Sequence, residues 1–500
     1  MPLLGRASVA ALGATLLAVG CVSAAPVAVA EEPALGGCVQ PGPVLRYLVV
    51  FDPGTADEDA DRQITAACGG TVVYYPEIAV AVATSPDPGF GDHLGRDRAY
   101  SAQAEIDQDQ RKARRNRVDE TMPPAVTPLS AETDRRGEQW DMDLIKAPQA
   151  HRITEGDPRV VVGVLDSGVD PHHPDLQRAL DPALSAGCLT GRADTAATAW
   201  EPTSSPHGTH VAGIIAAADD GKGITGVAPS VRIASVKVVN DEGHIYPEYA
   251  VCGYMWAAEH GMTVTNSSFV VDPWEYGCPG HGGQSVVTEA MRRAVAYATA
   301  RGALNIAALT NRGSDLTHAG IDSPTPEGGS AQSTEASDDC AILPAQLPGV
   351  IAVSSVGADQ VKAGYSSYGL GAVDVTAPGG DTRQHPKRND QSAADEQPCV
   401  LSTVPNGYGY YCGTSMAAPH ATGVAALLAS VHPDSTPAQL TGLLDQQAQP
   451  VQCPDDYDLN NTGAQDAYCS GYVSYNGFYG HGLVNALAAV DGTGAATPHP

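Results

Sequence analysis

A serine near the C-terminal end of the chain, Ser415, has the setting of a nucleophile. It lies where a loop enters a run, residues 421–429, that is apolar on nearly every face. A helix without a polar stripe belongs in a protein interior, so Ser415 should lie at the N-terminus of a buried helix. The first-turn N–H groups of a helix lack intrahelical partners, and an oxyanion formed there would lie within their reach. Pro419 should fall in or near that first turn, where its missing N–H costs little.

An ordinary helix-capping serine is the alternative interpretation of that stretch alone. Two further polar residues favour a catalytic role for Ser415 instead. Asp166 ends an apolar run, residues 160–165, that is typical of a strand buried on both faces, and His207 begins a helix rich in glycine and alanine. A serine hydroxyl becomes an effective nucleophile when a histidine takes its proton and a carboxylate orients that histidine. Asp166, His207 and Ser415 are therefore the predicted catalytic residues.

From residue 138 onward, strand-like runs alternate with helical patterns, which is typical of a mostly parallel sheet. We expect a three-layer α/β fold, in which a mostly parallel sheet has helices on both faces. Ligands of open α/β sheets gather outside the carboxyl ends of the strands, and Asp166 lies at such an end. The expected strands cover residues 160–165, 231–239, 263–268, 303–309, 350–354 and 372–376.

The preceding part of the chain predicts a smaller, separate unit. Its strand-like runs and one helical pattern indicate an α+β domain, and the stretch after it is basic and proline-rich, as in an accessible linker. The chain thus divides into five expected segments. They are a signal peptide (1–30), the small α+β domain (31–110), a linker that contains the maturation site (111–137), the main α/β domain (138–491) and a short flexible tail (492–500).

The N-terminal thirty residues predict export. Arg6 precedes an apolar run, and small residues end at Ala30, as in a secretory signal peptide. Cys21 lies in a poor version of a lipoprotein cleavage site, so a lipid anchor is the weaker alternative. Ten cysteines remain after the signal, and an exported chain forms disulfides by default. The plausible local pairs are Cys38–Cys68, Cys399–Cys412 and Cys453–Cys469.

Composition also limits the partners of the protein. The formal net charge of −29 argues against nucleic acid as a ligand. Beyond the signal, the sequence offers no run of eighteen uncharged apolar residues that could span a membrane. We therefore expect a secreted, extracellular protein that acts as a monomer.

The chain resembles the subtilisin-like serine peptidases. The stretches around the three predicted catalytic residues, 162–170, 207–213 and 413–419, are similar to the aspartate, histidine and serine motifs of that family, in the same chain order. Two more runs agree, residues 145–148 and 479–485, so the resemblance covers about residues 139–490. The early α+β unit is similar to the inhibitor-type propeptide that accompanies these enzymes.

The resemblance assigns further residues to the site. Asn311 would supply the side-chain donor of the oxyanion hole, and Thr310, where family members usually have glycine, would alter the pocket wall. The segment Ser268, Phe269 and Val270 resembles the strand that pairs with the substrate backbone, and Gly243 is assigned to substrate binding with it.

Two further features concern the pocket and a metal. Val270 stands where the family commonly has glycine, so it should narrow the pocket for the side chain before the scissile bond. A loop at residues 218–223 has the length of a calcium loop in some relatives, and Asp175 and Asp220 are its candidate ligands. No cofactor is expected for the chemistry itself.

These features predict a secreted serine endopeptidase that acts on protein or peptide substrates and is made as a latent, self-processing precursor. Its own propeptide would act as an intramolecular inhibitor. Two alternatives from other classes remain open at this point. One is a homologue that binds peptides without cutting them, and the other is an acyl-transferring peptide ligase on the same fold.

Overall fold

The computed structural model describes residues 38, 42–109, 127–128, 133–280, 282–317, 340–386 and 397–492. The predicted signal peptide, Cys21, most of the predicted linker and nearly all of the predicted tail lie outside these residues. The chain divides into two compact units, Met1–Cys38 and Val39–Pro500, and every element below belongs to the second.

The first elements form a small α+β unit, as the sequence predicts. Four antiparallel strands are arranged in the order β2-β3-β1-β4, and three helices accompany them. The strands are β1 (Leu45–Val50), β2 (Gly70–Tyr75), β3 (Val80–Ser85) and β4 (Ala99–Tyr100). The helices are α1 (Asp57–Ala66), α2 (Phe90–Leu94) and α3 (Ala102–Asp109).

Alternation along the strands gives this small sheet two apolar faces. Tyr47 and Val49 of β1 pack with residues of α1 and α2, including Ile64 and Phe90. Leu48, between them in the sequence, belongs instead to a cluster shared with helices of the main domain. A two-residue period places neighbouring side chains on opposite faces. The small sheet is therefore covered by α1 and α2 on one side and by α3 and the main domain on the other.

The main domain contains a seven-stranded sheet in the order β12-β11-β10-β9-β6-β8-β7, in which every neighbouring pair is parallel. This confirms the predicted α/β class. The strands of the sheet are β6 (Val161–Asp166), β7 (Ala186–Gly187), β8 (Arg232–Lys237), β9 (Val264–Ser267), β10 (Leu304–Ala308), β11 (Val350–Val356) and β12 (Val375–Pro378). The remaining strands form small sheets and are β5 (Thr127–Pro128), β13 (Val400–Val404), β14 (Gly407–Tyr411), β15 (Gly471–Tyr472) and β16 (Tyr475–Asn476).

Helices cover both faces of the seven-stranded sheet. Helices α7 and α10 share one hydrophobic cluster with one face, and α8 and α9 share a second cluster with the other face. The helices of the main domain are α4 (Trp140–Leu144), α5 (Ala147–His151), α6 (Ala197–Trp200), α7 (His207–Ala216), α8 (Pro247–Glu259), α9 (Gly282–Ala300), α10 (Thr414–Val431), α11 (Pro437–Gln447) and α12 (Ala486–Val490). Among the residues that the structure describes, no helix has both the length and the apolarity needed to cross a membrane.

Four disulfides close loops of the main domain. Two of the predicted local pairs, Cys399–Cys412 and Cys453–Cys469, are confirmed. Two longer connections, Cys188–Cys252 and Cys278–Cys340, join cysteines more than sixty residues apart, and the sequence did not indicate them. Cys38 and Cys68 are both disulfide-bonded, and their mutual pairing stays a prediction.

Two glycines in helices allow a matched test of packing. A Cβ at Gly213 in α7 would overlap the hydroxyls of Ser402 and Thr403, whereas a Cβ at Gly442 in α11 would meet nothing. We expect Gly213→Ala to lower the free energy of unfolding by about 1–3 kcal/mol, as overpacking does. Gly442→Ala should raise it by about 0.5–1 kcal/mol through helix propensity. Thermal unfolding in a Ser415→Ala background measures both, and a stabilising Gly213→Ala would contradict this packing.

Candidate active site

Asp166 and His207 meet at the carboxyl end of β6, the strand next to the central strand β9. Asp166 Oδ1 accepts a hydrogen bond from His207 Nδ1 at 2.8 Å and another from the Ser167 N–H at 2.7 Å. Both side chains are buried, with residue exposures of 1% and 5%. A carboxylate bonded to Nδ1 fixes the ring proton on that nitrogen and leaves Nε2 as the acceptor of a further proton.

A glycine permits this close approach of α7 to β6. A Cβ at Gly208 would lie 2.5 Å from the carbonyl oxygen of Gly168 and 3.1 Å from Asp166 Cβ. The Gly208 N–H donates instead to Ser167 Oγ at 2.9 Å. A side chain at position 208 would therefore prevent the start of α7 from lying against the end of β6.

Ser415 is the second residue of α10 and is paired with Ser268. The Ser415 hydroxyl donates to the Ser268 carbonyl at 3.3 Å, and the Ser268 hydroxyl donates to the Ser415 carbonyl at 2.9 Å. The expectation that Pro419 lies in or near the first turn is wrong, since it lies inside α10, which begins at Thr414. Proline has no N–H to give to the residue four positions earlier, which is Ser415. The Ser268 hydroxyl therefore satisfies the carbonyl that Pro419 leaves free.

Buried polar side chains extend this contact between α10 and β9. Thr422 Oγ1 of α10 donates to Asn266 Oδ1 at 2.9 Å, and Asn266 Nδ2 donates to Ser268 Oγ at 3.0 Å. Each of these side chains is buried. Buried polar groups that are all paired fix a single arrangement, because any slip would leave one of them unsatisfied. The network thus fixes α10, and Ser415 with it, against β9.

Asn311 follows β10 and faces the start of α10. Its Oδ1 accepts two hydrogen bonds from Thr414, one from the N–H and one from Oγ1, both at 2.9 Å. The amide oxygen is thereby occupied, and Nδ2 remains as a donor. A Cβ at Gly413 would lie 3.5 Å from Asn311 Nδ2 and 3.7 Å from the Ser415 nitrogen. Two donors therefore flank one position, and glycine at 413 leaves the space there open.

The loop that carries Asn311 is clamped to residues 363–368. The Gly313 N–H donates to the Tyr365 carbonyl at 2.6 Å, and the hydroxyls of Thr310 and Ser367 are 2.7 Å apart. The buried Lys362 ammonium donates to two carbonyls of that segment, those of Ala363 and Ser366. Burial lowers the pKa of Lys362 to about 7. Thr310, predicted as a pocket wall, thus also anchors the loop.

A pocket opens beside Ser415 and contains most of the predicted substrate-binding residues. Gly243 does not line it, but it precedes by two residues Ile245, which does, and its role stays a prediction. The lining residues that sequence reasoning missed include Asp272, Trp274 and Glu275, although an acidic and aromatic cluster directly after the predicted substrate strand was a usable signal. The pocket is lined by Ile245, Ser268, Phe269, Val270, Val271, Asp272, Trp274, Glu275, Ala308, Leu309, Thr310, Asn311, Arg312, Thr414 and Ser415.

The predicted calcium ligands, Asp175 and Asp220, have protein partners. Asp175 Oδ2 accepts from the Ile224 N–H at 3.1 Å and from the Tyr408 hydroxyl at 3.0 Å, and burial raises the pKa of Asp175. Asp220 Oδ1 accepts from the Lys222 N–H. Within the described ranges, neither belongs to a group of three or more acidic, histidine or cysteine side chains close enough to share an ion. The residues present fit a hydrogen-bonded loop better than a calcium cage, and calcium stays a prediction.

Comparison with known proteins identifies the family of the chain. A family model described as the subtilase family matches residues 157–482. The chain belongs to the subtilase family. Subtilisin of Bacillus pumilus is 32% identical to this subtilase over 353 residues, which are 70% of this chain and 98% of that protein. Fervidolysin of Fervidobacterium pennivorans is 30% identical over 380 residues, and the chain spans 44% of that longer protein.

The solved structures agree on the fold. The epidermin leader peptide processing serine protease of Staphylococcus aureus matches 90% of this subtilase and 98% of its own chain, with a TM-score of 0.61 and 19% identity. That likeness concerns the fold alone. The family relationship makes the protein a serine-type endopeptidase, and subtilase catalysis needs no cofactor.

Asn311 generates a prediction about rate. Replacing it with alanine removes the Nδ2 donor beside Ser415, and loss of such a donor in a subtilisin costs about 2.7–4 kcal/mol of transition-state stabilisation. We expect Asn311→Ala to lower kcat by about 10²–10³-fold with little change in KM, since the donor acts on the oxyanion. Steady-state kinetics on a peptide substrate measures both constants. A rise in KM of about 10²–10³-fold with kcat unchanged would show instead that Asn311 stabilises the bound substrate and the transition state equally.

Proposed function

We propose that the protein is an exported endopeptidase that cleaves peptide bonds through Ser415, His207 and Asp166. The observation that carries the proposal is the pairing of a buried Asp166–His207 hydrogen bond with a serine at the open N-terminus of a buried helix. Asn311 Nδ2 and the Ser415 N–H provide two donors beside that serine. Each role that acyl transfer requires has a residue of suitable type.

The reaction would proceed in two halves. His207 Nε2 takes the proton of the Ser415 hydroxyl as its oxygen attacks the substrate carbonyl carbon, and Asp166 stabilises the imidazolium through Nδ1. The carbonyl oxygen becomes an oxyanion that accepts hydrogen bonds from Asn311 and Ser415. His207 then gives the proton to the leaving amine, and an acyl-enzyme remains. A water molecule, deprotonated by His207, hydrolyses that ester and releases the acid.

The small α+β unit is proposed as a propeptide that inhibits the peptidase, and its contacts support this. Arg46 of β1 donates to Glu248 and to the Tyr249 hydroxyl of α8. Arg293 of α9 donates to the Phe51 carbonyl at the end of β1. Leu48 and other residues of the small sheet share a hydrophobic cluster with α8 and α9. Such a surface would hold the unit against the peptidase after the connecting chain is cut.

The end of this unit lies next to the pocket. Glu105 of α3 accepts from Trp274 Nε1 at 2.9 Å and from the Tyr100 hydroxyl at 2.7 Å, and the rings of Tyr100 and Trp274 are 4.9 Å apart. Trp274 lines the pocket beside Ser415. Glu105 of α3 thus contacts a residue that lines the pocket beside the proposed nucleophile, which favours cleavage within the same molecule. An intramolecular substrate has an effective concentration on the order of millimolar.

The proposal includes the predicted segments and partners. Residues 1–30 would direct export, 31–110 would form the propeptide, 111–137 would contain the maturation site, 138–491 would form the peptidase and 492–500 would be a tail. Disulfides in the main domain suit an oxidising, extracellular location. The partners would be protein or peptide substrates and the chain's own propeptide, and the mature enzyme would act as a monomer.

Self-maturation gives one prediction. Ser415→Ala, produced in a host without extracellular proteases, should accumulate as a precursor that is intact from Glu31 onward, because it lacks the nucleophile. Wild type should yield a product that begins between about Arg111 and Gly137. N-terminal sequencing and intact mass report both results. A Ser415→Ala protein that is processed normally would show that another protease makes the cut, and a diacylglyceryl group on Cys21 would contradict secretion.

The proton acceptor gives another prediction. His207 has to be neutral to take the proton from Ser415, so kcat/KM should rise with pH through roughly pH 6–7.5, where an imidazole ordinarily loses its proton. Rates on one peptide amide between pH 4 and 9 measure this limb. Full activity at pH 4 would contradict the assignment of His207.

A further inference from the structure

The pocket beside Ser415 contains a carboxylate with an unsatisfied oxygen. Glu275 lines the cavity, and its Oε1 is buried without a hydrogen-bond partner among the described residues. The polar neighbours of its other oxygen are the Thr310 side chain, which donates a hydrogen bond to Glu275, and Arg312, whose Nε lies 3.8 Å away and whose side chain is half exposed. A buried acceptor without a donor is unfavourable, and more so when it carries charge. A donor that enters the pocket with a substrate would relieve this deficit.

The other carboxylate of the pocket is already paired. Asp272 Oδ2 accepts from the Ile245 N–H at 2.8 Å and lies 3.6 Å from His244 Nδ1. The ionisable groups that face the cavity are thus Glu275 and Asp272 against Arg312, with His244 beside Asp272. With His244 neutral, the carboxylates outnumber the cation. Glu275 is the group with capacity left for a ligand.

The remaining walls suit a long side chain with a cationic end. Phe269, Val270 and Leu309 line the same cavity as Glu275, and they are apolar. Arginine and lysine lay their methylene stems along apolar surface while the charged end reaches a polar partner. A leucine would fill the apolar part but would leave Glu275 Oε1 unsatisfied and further from water. Charge-assisted hydrogen bonds to a carboxylate are stronger than neutral ones, so a cation is favoured over an amide or hydroxyl.

We propose that this pocket selects arginine or lysine as the residue immediately before the scissile bond, with Glu275 as the residue that determines the specificity. The inference rests on the proposed function, because it places the reacting carbonyl between Ser415 and Asn311, which line the same pocket. Binding brings an N–H donor of the substrate to Glu275 Oε1. Glu275 takes no part in the chemistry and affects only which side chain is accepted.

The chain itself contains a substrate of this kind. Five basic residues occur in the seven-residue run Arg111, Lys112, Ala113, Arg114, Arg115, Asn116 and Arg117. The run begins two residues after α3, and α3 is hydrogen-bonded through Glu105 to Trp274, the neighbour of Glu275. A pocket specific for basic residues explains why such a run follows the unit that lies against the pocket wall. The residue before the mature N-terminus should accordingly be arginine or lysine.

The test uses mature enzyme and peptide p-nitroanilides that differ only in the last residue, which is arginine, lysine, glutamine or leucine. Wild type should have its highest kcat/KM on the arginine or lysine peptide. Glu275→Gln should lower kcat/KM on those two peptides by about 10–100-fold, since it removes a charged hydrogen-bond partner. The leucine peptide should change by no more than about twofold, which shows that the variant is folded and active.

Two controls separate the pocket from general charge effects. Glu242→Gln makes the same substitution at an exposed carboxylate that does not line the pocket, and it should leave the ratio of arginine to leucine kcat/KM unchanged. Burial raises the pKa of Glu275, so its charge is lost on acidification at a higher pH than that of an exposed glutamate. The ratio should fall as pH decreases in wild type and fall much less in Glu275→Gln, where Asp272 is the remaining carboxylate of the pocket. The ionisation of His207 affects both substrates equally and therefore cancels in the ratio.

The outcomes distinguish this inference from the function on which it rests. A wild type that prefers leucine, while a fluorophosphonate still labels Ser415, would overturn the specificity and leave the peptidase assignment standing. A preference for arginine that survives Glu275→Gln would show that another group recognises the cation, and the role of Glu275 would be wrong. Failure of the mature protein to cleave any of the peptides or to take up the fluorophosphonate would contradict both.

Discussion

Helix α10 enters the core with its N-terminus open, and much of the structure is arranged around this constraint. Its residues from Met416 to Ala429 are buried, so nothing but other parts of the protein can satisfy its polar groups. Asn311 Oδ1 accepts the Thr414 N–H, and the Ser268 hydroxyl reaches the Ser415 carbonyl that Pro419 leaves free. The partners come from different strands, so the helix start can be satisfied only when the sheet is assembled.

A second buried contact holds the same helix from the other side. His420 Nε2 lies 3.0 Å from Asp141 Oδ2 of α4, and both side chains are fully buried. The other ring nitrogen, Nδ1, bonds to the Met416 carbonyl. Removing either partner would leave a buried polar group unpaired, which costs more than a hydrogen bond contributes. The nucleophile is therefore positioned by packing and hydrogen bonds on both sides of α10, rather than by its own loop.

Polar side chains in the contact between α10 and β9 differ from Glu275 of the pocket in how they are hydrogen-bonded. Around α10 the polar side chains of Asn266, Ser268 and Thr422 are all paired, as buried groups in native proteins generally are. In the pocket Glu275 Oε1 is not, although it is as well shielded from water. A buried acceptor without a donor calls for an explanation, and a donor on a bound substrate would provide one here. The contrast between these three paired side chains and the unpaired Glu275 oxygen indicates which of these groups hold the site together and which recognises what enters it.

The sequence by itself determined the fold class and the residues that could do the chemistry. Continuous apolar runs indicated buried parallel strands, and the motifs around Asp166, His207 and Ser415 pointed to a catalytic group. These are local signals, since a strand, a helix start and a motif are written in adjacent residues. The position of Pro419 was judged wrongly because the helix start depends on the partners that Asn311 and Ser268 bring from distant strands. Only the tertiary structure decided that Glu275 belongs to the pocket, that Cys188 pairs with Cys252, and that Trp274 contacts the small N-terminal unit. Contacts between residues far apart in the chain leave no periodic pattern, so they are visible only once the chain is folded.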